Sequence, residues 1–280
     1  MNVGGFSIDA LTGVLAVPAG AAALLAALPG YRATARLNVA ATTLTFLCAL
    51  SLFFARPPSG SYLLVDDLNA TFIVLTTFVG FTTSIFSASY IGHELEIGRL
   101  TPPFVRFYHA MYQLLMFAMN LALVANNIGL MWVAIELATL TTVLMVGIYR
   151  THEALEAAWK YFILGSVGIA LALFGTILVY MAARPVIGEG LDAMVWSVLV
   201  KRAGAFDPAL LDVAFVFLLL GTAPRWGSRR CTPSCPTPTP KARPRSRRCC
   251  RGCCSTSRST RCCASRCCSP PTRARSRRAR

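Results

Sequence analysis

Apolar runs of about 20 residues recur along the first 221 positions, at 11–28, 37–55, 68–91, 107–125, 128–148 and 154–182, with a shorter one at 209–221. At about 1.5 Å of rise per residue, each of the six long runs can cross a hydrocarbon core of roughly 30 Å. One such run could be buried inside a soluble core, but six cannot. The pattern therefore predicts an all-α fold: a polytopic bundle of transmembrane helices, six full spans and a shortened seventh.

Turn chemistry and charge mark the connections: Pro29-Gly30 with Arg32 and Arg36, then Arg56-Pro57-Pro58-Ser59-Gly60, then Thr101-Pro102-Pro103. Asn126-Asn127 leaves so little chain that the fourth and fifth spans must form a tight hairpin. Residues 185–208, with Trp196, Lys201 and Arg202, read as an interfacial amphipathic segment. No basic stretch precedes the first run and no small-residue cleavage site stands out, so it reads as a retained span and not a signal peptide. Arg32, Arg36, Arg99, Arg106 and Arg150 fall on one side of this arrangement, against Arg56, Arg184, Lys201 and Arg202 on the other. That bias favours an N-terminus outside the cell.

Charge and cysteine content split the chain in two. Residues 1–221 hold 10 Lys and Arg, all 12 acids and the single cysteine Cys48, whereas residues 222–280 hold 17 Lys and Arg, no acid and 10 cysteines. The net charge of +15 thus belongs to the tail and says nothing of the membrane portion. A stretch of Arg, Ser, Pro, Thr and Cys cannot bury enough apolar surface to offset chain entropy, so its composition implies disorder. Cys249, Cys250, Cys253 and Cys254 lack the separated C-x2-C pairs of zinc sites, and no aromatic residue follows Trp226 to stack on a base. Neither a metal site nor a nucleic-acid partner is expected.

The genetic code offers another account of the tail. If one base were lost, each original codon would be the last base of one tail codon plus the first two of the next. Cysteine codons, TGC or TGT, would then supply the end of an xTG codon, which encodes Leu, Val or Met. Residues 231–242 become compatible with His-Ala-Phe-Leu-Pro-Asp-Ala-His-Ala-Glu-Gly, and the following residues with another apolar helix. The expected organisation is a transmembrane domain over 1–221 and a frameshift-derived basic, Cys-rich tail over 222–280.

Few residues in the spans can carry chemistry. Glu136, in Met131-Trp-Val-Ala-Ile-Glu-Leu-Ala-Thr-Leu140, lies about 12 Å along the fifth span. An acid at that depth costs about 2.5 to 3.5 kcal/mol on insertion scales and is tolerated when it faces the bundle interior, a cation or water. It suits proton transfer or a structural hydrogen bond to a neighbouring helix. Lys160 lies about six residues into the sixth span, where it can snorkel to the interface or act as a relay that responds to Glu136. His109, near a helix entrance, is a candidate for lining a cavity or an ordinary interfacial histidine. His93, Glu94 and Glu96 are placed in a solvated connection, and Asp66 and Asp67 at the start of the third span. Thr82, Thr83, Ser84, Ser87 and Ser89, with Thr139, Thr141 and Thr142, are expected to tie helices together. The membrane portion shows no C-x2-C framework, haem-ligating histidine pair, P-loop or G-x-G-x-x-G, so no redox centre, cofactor or metal site is expected in it.

Val65-Asp-Asp-Leu68, Ser87-Ala-Ser-Tyr-Ile91, Asn126-Asn-Ile-Gly-Leu-Met-Trp-Val-Ala-Ile-Glu136 and Ala157-Ala-Trp-Lys-Tyr-Phe-Ile-Leu-Gly165 resemble the antiporter-like membrane subunits of respiratory complex I, Mrp-type antiporters and membrane-bound hydrogenases. Residues 161–175, with Leu211-Asp-Val-Ala-Phe-Val-Phe217, resemble hydrogenase-4 component F and its relatives. The likeness covers residues 60–221. It implies a proton-translocating subunit of a complex I-like or hydrogenase-4-like oxidoreductase, multi-pass in the cell inner membrane. Redox work would fall to partner membrane and peripheral subunits; an Mrp-type cation/proton antiporter subunit is the alternative. The resemblance also implies that Glu136 works with a lysine on a later helix, whose codons are read here as Pro224 and Arg225. Lys160 matches a family lysine of secondary weight. The chain as written is therefore expected to be truncated and impaired.

Overall fold

The computed structural model describes residues 2–3, 6–7, 10–28, 30–54, 60, 62–98, 100–188 and 190–223. The expectations for the tail from Pro224 onward, and for the turn residues Pro29, Arg56 to Ser59 and Arg99, lie outside the described residues. Apart from an antiparallel pairing of Asn2–Val3 with Phe6–Ser7, the described regular structure is helical. The helices are α1 (Ala10–Ala27), α2 (Tyr31–Ser51), α3 (Asp67–Glu96), α4 (Pro102–Val124), α5 (Ile128–Val146), α6 (His152–Ile187), α7 (Trp196–Arg202) and α8 (Pro208–Thr222). Six of them, α1 to α6, are long and apolar enough to cross a membrane, and α8 is a shorter apolar helix.

Local chemistry explains most boundaries. Gly30, at φ 107°, takes the left-handed backbone that separates α1 from α2. Asn127 caps α5: its side-chain oxygen accepts from the amides of Gly129 and Leu130 at 2.9 and 3.2 Å. Thr151 caps α6 by accepting from the Ala154 amide. The hairpin expected at Asn126-Asn127 is present, with α4 ending at Val124 and α5 starting at Ile128.

Two boundaries differ from the sequence reading. His93, Glu94 and Glu96 are not in a solvated connection; they form the last turns of α3, and Glu94 is buried. The helix stops only beyond them, where Gly98 adopts φ 80°. Residues 185–187 continue α6 through Pro185, and the amphipathic segment is confined to two 3-10 turns around the short α7. That segment sits on the hairpin: the Trp196 amide donates to the Asn126 carbonyl at 2.7 Å, and the Asn126 side chain bonds Ser197 and the Gly60 carbonyl.

The most extensive helix pair is α6 with α8. Gly168, Ala172 and Gly175 give α6 a small-residue stripe that lets α8 approach backbone to backbone. A Cβ placed on Gly221 would stand 2.6 Å from both the Gly168 carbonyl oxygen and the Ala172 amide nitrogen. Phe174 and Phe217 flank this contact edge to face at 4.8 Å. Because backbone atoms cannot move aside, Gly221→Leu is expected to push α8 off α6 and destabilise the bundle by about 1–3 kcal/mol. The check is the thermal midpoint of the detergent-solubilised protein, which should fall by several degrees; an unchanged midpoint rejects the close approach.

Candidate functional site

Glu136 sits about 12 Å into α5, eight residues past Ile128. Its neighbours at helical spacing, Trp132 and Thr139, both face α6. The Trp132 indole N–H donates to the Ile169 carbonyl at 3.0 Å, and the Thr139 methyl lies 3.1 Å from where a Cβ on Gly165 would stand. Glu136 therefore lies on the α6-facing stripe of α5, between those two contacts. It is half-buried, and its Oε2 is buried with no hydrogen-bond partner among the described residues. A carboxylate held so far from either helix end, with one oxygen unengaged, can take up and release a proton without dismantling a structural bond.

Lys160 is not brought to Glu136. Its ammonium donates to Glu156 Oε1 at 2.5 Å, an i,i+4 pair on α6 whose side chains are 51% and 41% exposed. The level of Glu136 corresponds to residues 165–169 of α6, about 7 to 13 Å further along the axis. Trp159, largely exposed beside it, packs edge to face on Phe162 at 5.8 Å. The sequence reading did not name Glu156, although its i,i+4 spacing from Lys160 is visible in the chain.

His109 lies inside the bundle on α4, fully buried, with the Tyr108 ring edge-on at 5.4 Å. It does not touch the α5–α6 stripe through any described contact. Asp66 occupies the N-cap position of α3 without a side-chain capping bond, and the Asp67 carbonyl accepts from the Thr71 hydroxyl. Among the helix-tying hydroxyls, Ser84 and Ser87 bond across helices to Thr42 and Tyr108, whereas Thr82, Thr141 and Thr142 return to carbonyls of their own helix. Among the described residues, no cluster of three or more His, Cys, Asp or Glu is placed to hold a metal ion.

An open groove of about 1160 Å³ runs between α4, α5 and the start of α6, lined by residues that include Phe104, Arg106, Leu144, Arg150 and Trp159. The Arg150 guanidinium lies over the Phe104 ring, 4.5 Å from its centre. Leu140, one turn from Glu136, is the part of this lining nearest the acid, and Glu136 is not in it.

Residues 125–222, which hold both the α5–α6 stripe and α8, match the family described as NADH:quinone oxidoreductase/Mrp antiporter, transmembrane region. A hydrogenase-4 component F homologue from Methylacidiphilum infernorum (isolate V4) is 59% identical over 204 residues, covering 73% of this chain. The matched region is that of the antiporter-like membrane subunits. It spans 43% of the length of that relative. NADH-quinone oxidoreductase subunit N 2 of Rhizobium meliloti (strain 1021) is 30% identical over 188 residues, 66% of this chain and 36% of the relative.

Solved structures share the antiporter-like fold. A chain of respiratory complex I from Thermus thermophilus superimposes with a TM-score of 0.58 at 21% identity, over 75% of this chain and 43% of that one. A chain of the membrane-bound sulfane sulfur reductase, an archaeal respiratory membrane complex, gives 0.62 at 20% identity, over 77% and 44%. Both place this antiporter-like chain among membrane helix bundles.

Proposed function

We propose that this chain is a proton-translocating membrane subunit of a complex I-like or hydrogenase-4-like oxidoreductase, seated in the cell inner membrane beside partner subunits that carry the redox centres. The observation that carries this reading is the carboxyl of Glu136, half-buried deep in α5 on the face that meets α6, with Oε2 free of hydrogen bonds among the described residues. The 59% identity to a hydrogenase-4 component F homologue supports the choice of complex class. In this reading Glu136 receives and passes the proton, and Lys160 with Glu156 sets the charge at one end of α6. Catalysis of electron transfer lies elsewhere in the complex.

Proton uptake by inverted membrane vesicles containing the complex assembled with the frame-restored chain tests the class. Uptake should require an electron donor and should persist without a sodium or potassium gradient. Uptake driven by a cation gradient, and indifferent to the donor, would replace this reading with an Mrp-type cation/proton antiporter subunit.

A further inference from the structure

Two polar stripes face each other inside the bundle on helices other than α5 and α6. On α2, Thr34, Asn38, Thr42 and Thr45 are each 2% exposed or less; on α4, His109, Gln113 and Asn120 are each 0% exposed. The register is fixed by Gln113, whose amide donates to the Asn38 side-chain oxygen at 2.8 Å and to the Asn38 carbonyl at 3.1 Å. Phe46 of α2 packs on Phe78 and Phe81 of α3, and Tyr31 reaches the Ala88 carbonyl, so α2 and α3 are antiparallel. Ser87 with Tyr108, and the Gly80 carbonyl with Tyr112, make α3 and α4 antiparallel too. Hence α2 and α4 run parallel. Thr34 stands at the level of His109 and Thr45 at that of Asn120, about 16 Å away along the axis.

Much of this seam has no partner among the described residues. Asn38 Nδ2, both ring nitrogens of His109, Gln113 Oε1 and both amide atoms of Asn120 are buried without a hydrogen bond. Leaving a buried donor or acceptor unpaired costs more than a typical hydrogen bond contributes, and here six such atoms line one seam. A polar seam of this kind is where buried water is retained, each molecule bridging two to four polar groups. The Thr42 and Ser84 hydroxyls, 2.8 Å apart, extend the line onto α3.

Both ends are closed by apolar side chains. One turn before His109, Val105 joins Ile91, Leu100 and Ile148; one turn past Asn120, Val124 joins Leu52 and Ile73. The α1 helix, packed along α4, carries no ionisable side chain, and the ionisable group in described contact with His109 is Tyr108 on α4 itself, which stacks in turn on Tyr112.

We propose that the α2–α4 seam holds an enclosed file of water molecules in which His109 is the protonatable group, a proton-carrying element separate from Glu136. A proton arriving from water at one ring nitrogen leaves from the other to the next water, so the file conducts along its length, and the apolar plugs keep it from leaking across the membrane.

The chain has three histidines, which makes the test direct. In the full chain labelled with 15N-histidine and 15N-tryptophan and reconstituted in lipid bilayers, solid-state NMR measures magnetisation transfer from water to each ring nitrogen. His93 and His152 are exposed and serve as the wet references; the Trp132 indole, bonded to the Ile169 carbonyl, is the dry one. His109 should receive water magnetisation as His93 does. A transfer as weak as that to Trp132 overturns the proposal. In proteoliposomes, Val105→Ser with Val124→Ser should raise passive proton permeability about 10-fold by wetting both plugs, and adding His109→Phe with Asn120→Leu should abolish the rise. A double plug variant that folds, judged by its unchanged helical circular dichroism, and stays proton-tight rejects His109 as a carrier.

Discussion

In the frame-restored chain assembled with its partners, Glu136→Gln is expected to leave the helix bundle and complex assembly intact while lowering donor-driven proton uptake by about 100-fold, the lower end of what a positioned proton-transfer group contributes. The substitution conserves volume and keeps an oxygen where Oε1 stands, so packing between the Trp132–Ile169 bond and the Thr139–Gly165 contact is preserved. What it removes is the one ionisable group on that stripe. Because the depth of Glu136 rather than any salt bridge defines its environment, Glu136→Asp should keep part of the activity, with the carboxyl drawn back on a shorter stem. Lys160→Met should have a smaller effect, since the lysine pairs with Glu156 on an exposed face and lies one to two turns away. Uptake followed with a pH-sensitive dye in vesicles, normalised to assembled complex, decides between the roles. Wild-type uptake by the Gln variant would make Glu136 a structural acid.

The membrane spans were legible because the signal is long and redundant. A run of about 20 apolar residues survives an error of several positions at either end, and α1 to α6 and α8 each overlap one of the seven runs. The Asn126-Asn127 hairpin was legible for a different reason: two residues cannot do anything else between antiparallel spans. What escaped notice was polar residues inside helices. Glu94 and Glu96 look like the start of a loop, yet the helix continues through them until a glycine can take a left-handed backbone at Gly98. The sequence reading did not single out Thr34, Asn38, Thr42 and Thr45. Their i, i+4, i+8 spacing marks a stripe only once the matching His109, Gln113 and Asn120 are seen opposite.

The candidate site divides in the same way. Glu136 stood out because an acid in the middle of an apolar run is expensive, a cost that can be read without a structure. The place of Lys160 could not be read so easily, since its four-carbon stem reaches either inward or outward at the same position along the helix. In the structure its ammonium is paired with Glu156, one turn earlier. His109 shows the converse. Near a helix entrance it looked interfacial, but α4 begins at Pro102, so His109 is already two turns inside and wholly enclosed.

DNA sequencing across codons 218–226 is expected to show that a single-base change separates the chain from a longer apolar reading frame containing Leu-Pro-Asp-Ala-His. The expectation rests on the abrupt change in residue chemistry after Gly221, where every acid of the chain lies on one side and 10 of its 11 cysteines on the other. Under a one-base offset any cysteine codon reads as Leu, Val or Met, so what carries weight is the number of cysteines, 10 in residues 222–280, and the absence of acids beside them. Misreading of GC-rich DNA that encodes an apolar helix yields such a run of cysteines automatically. The family match extends to residue 222, next to the same break. Restoring the base should return a lysine at the codons now read as Pro224 and Arg225, on the helix that continues α8 from its contact with α6, and donor-driven proton uptake should rise from background in cells carrying the restored gene. An unaltered gene whose offset frame meets an early stop, or lacks Leu-Pro-Asp-Ala-His, would make the basic cysteine-rich segment native and require a function for it.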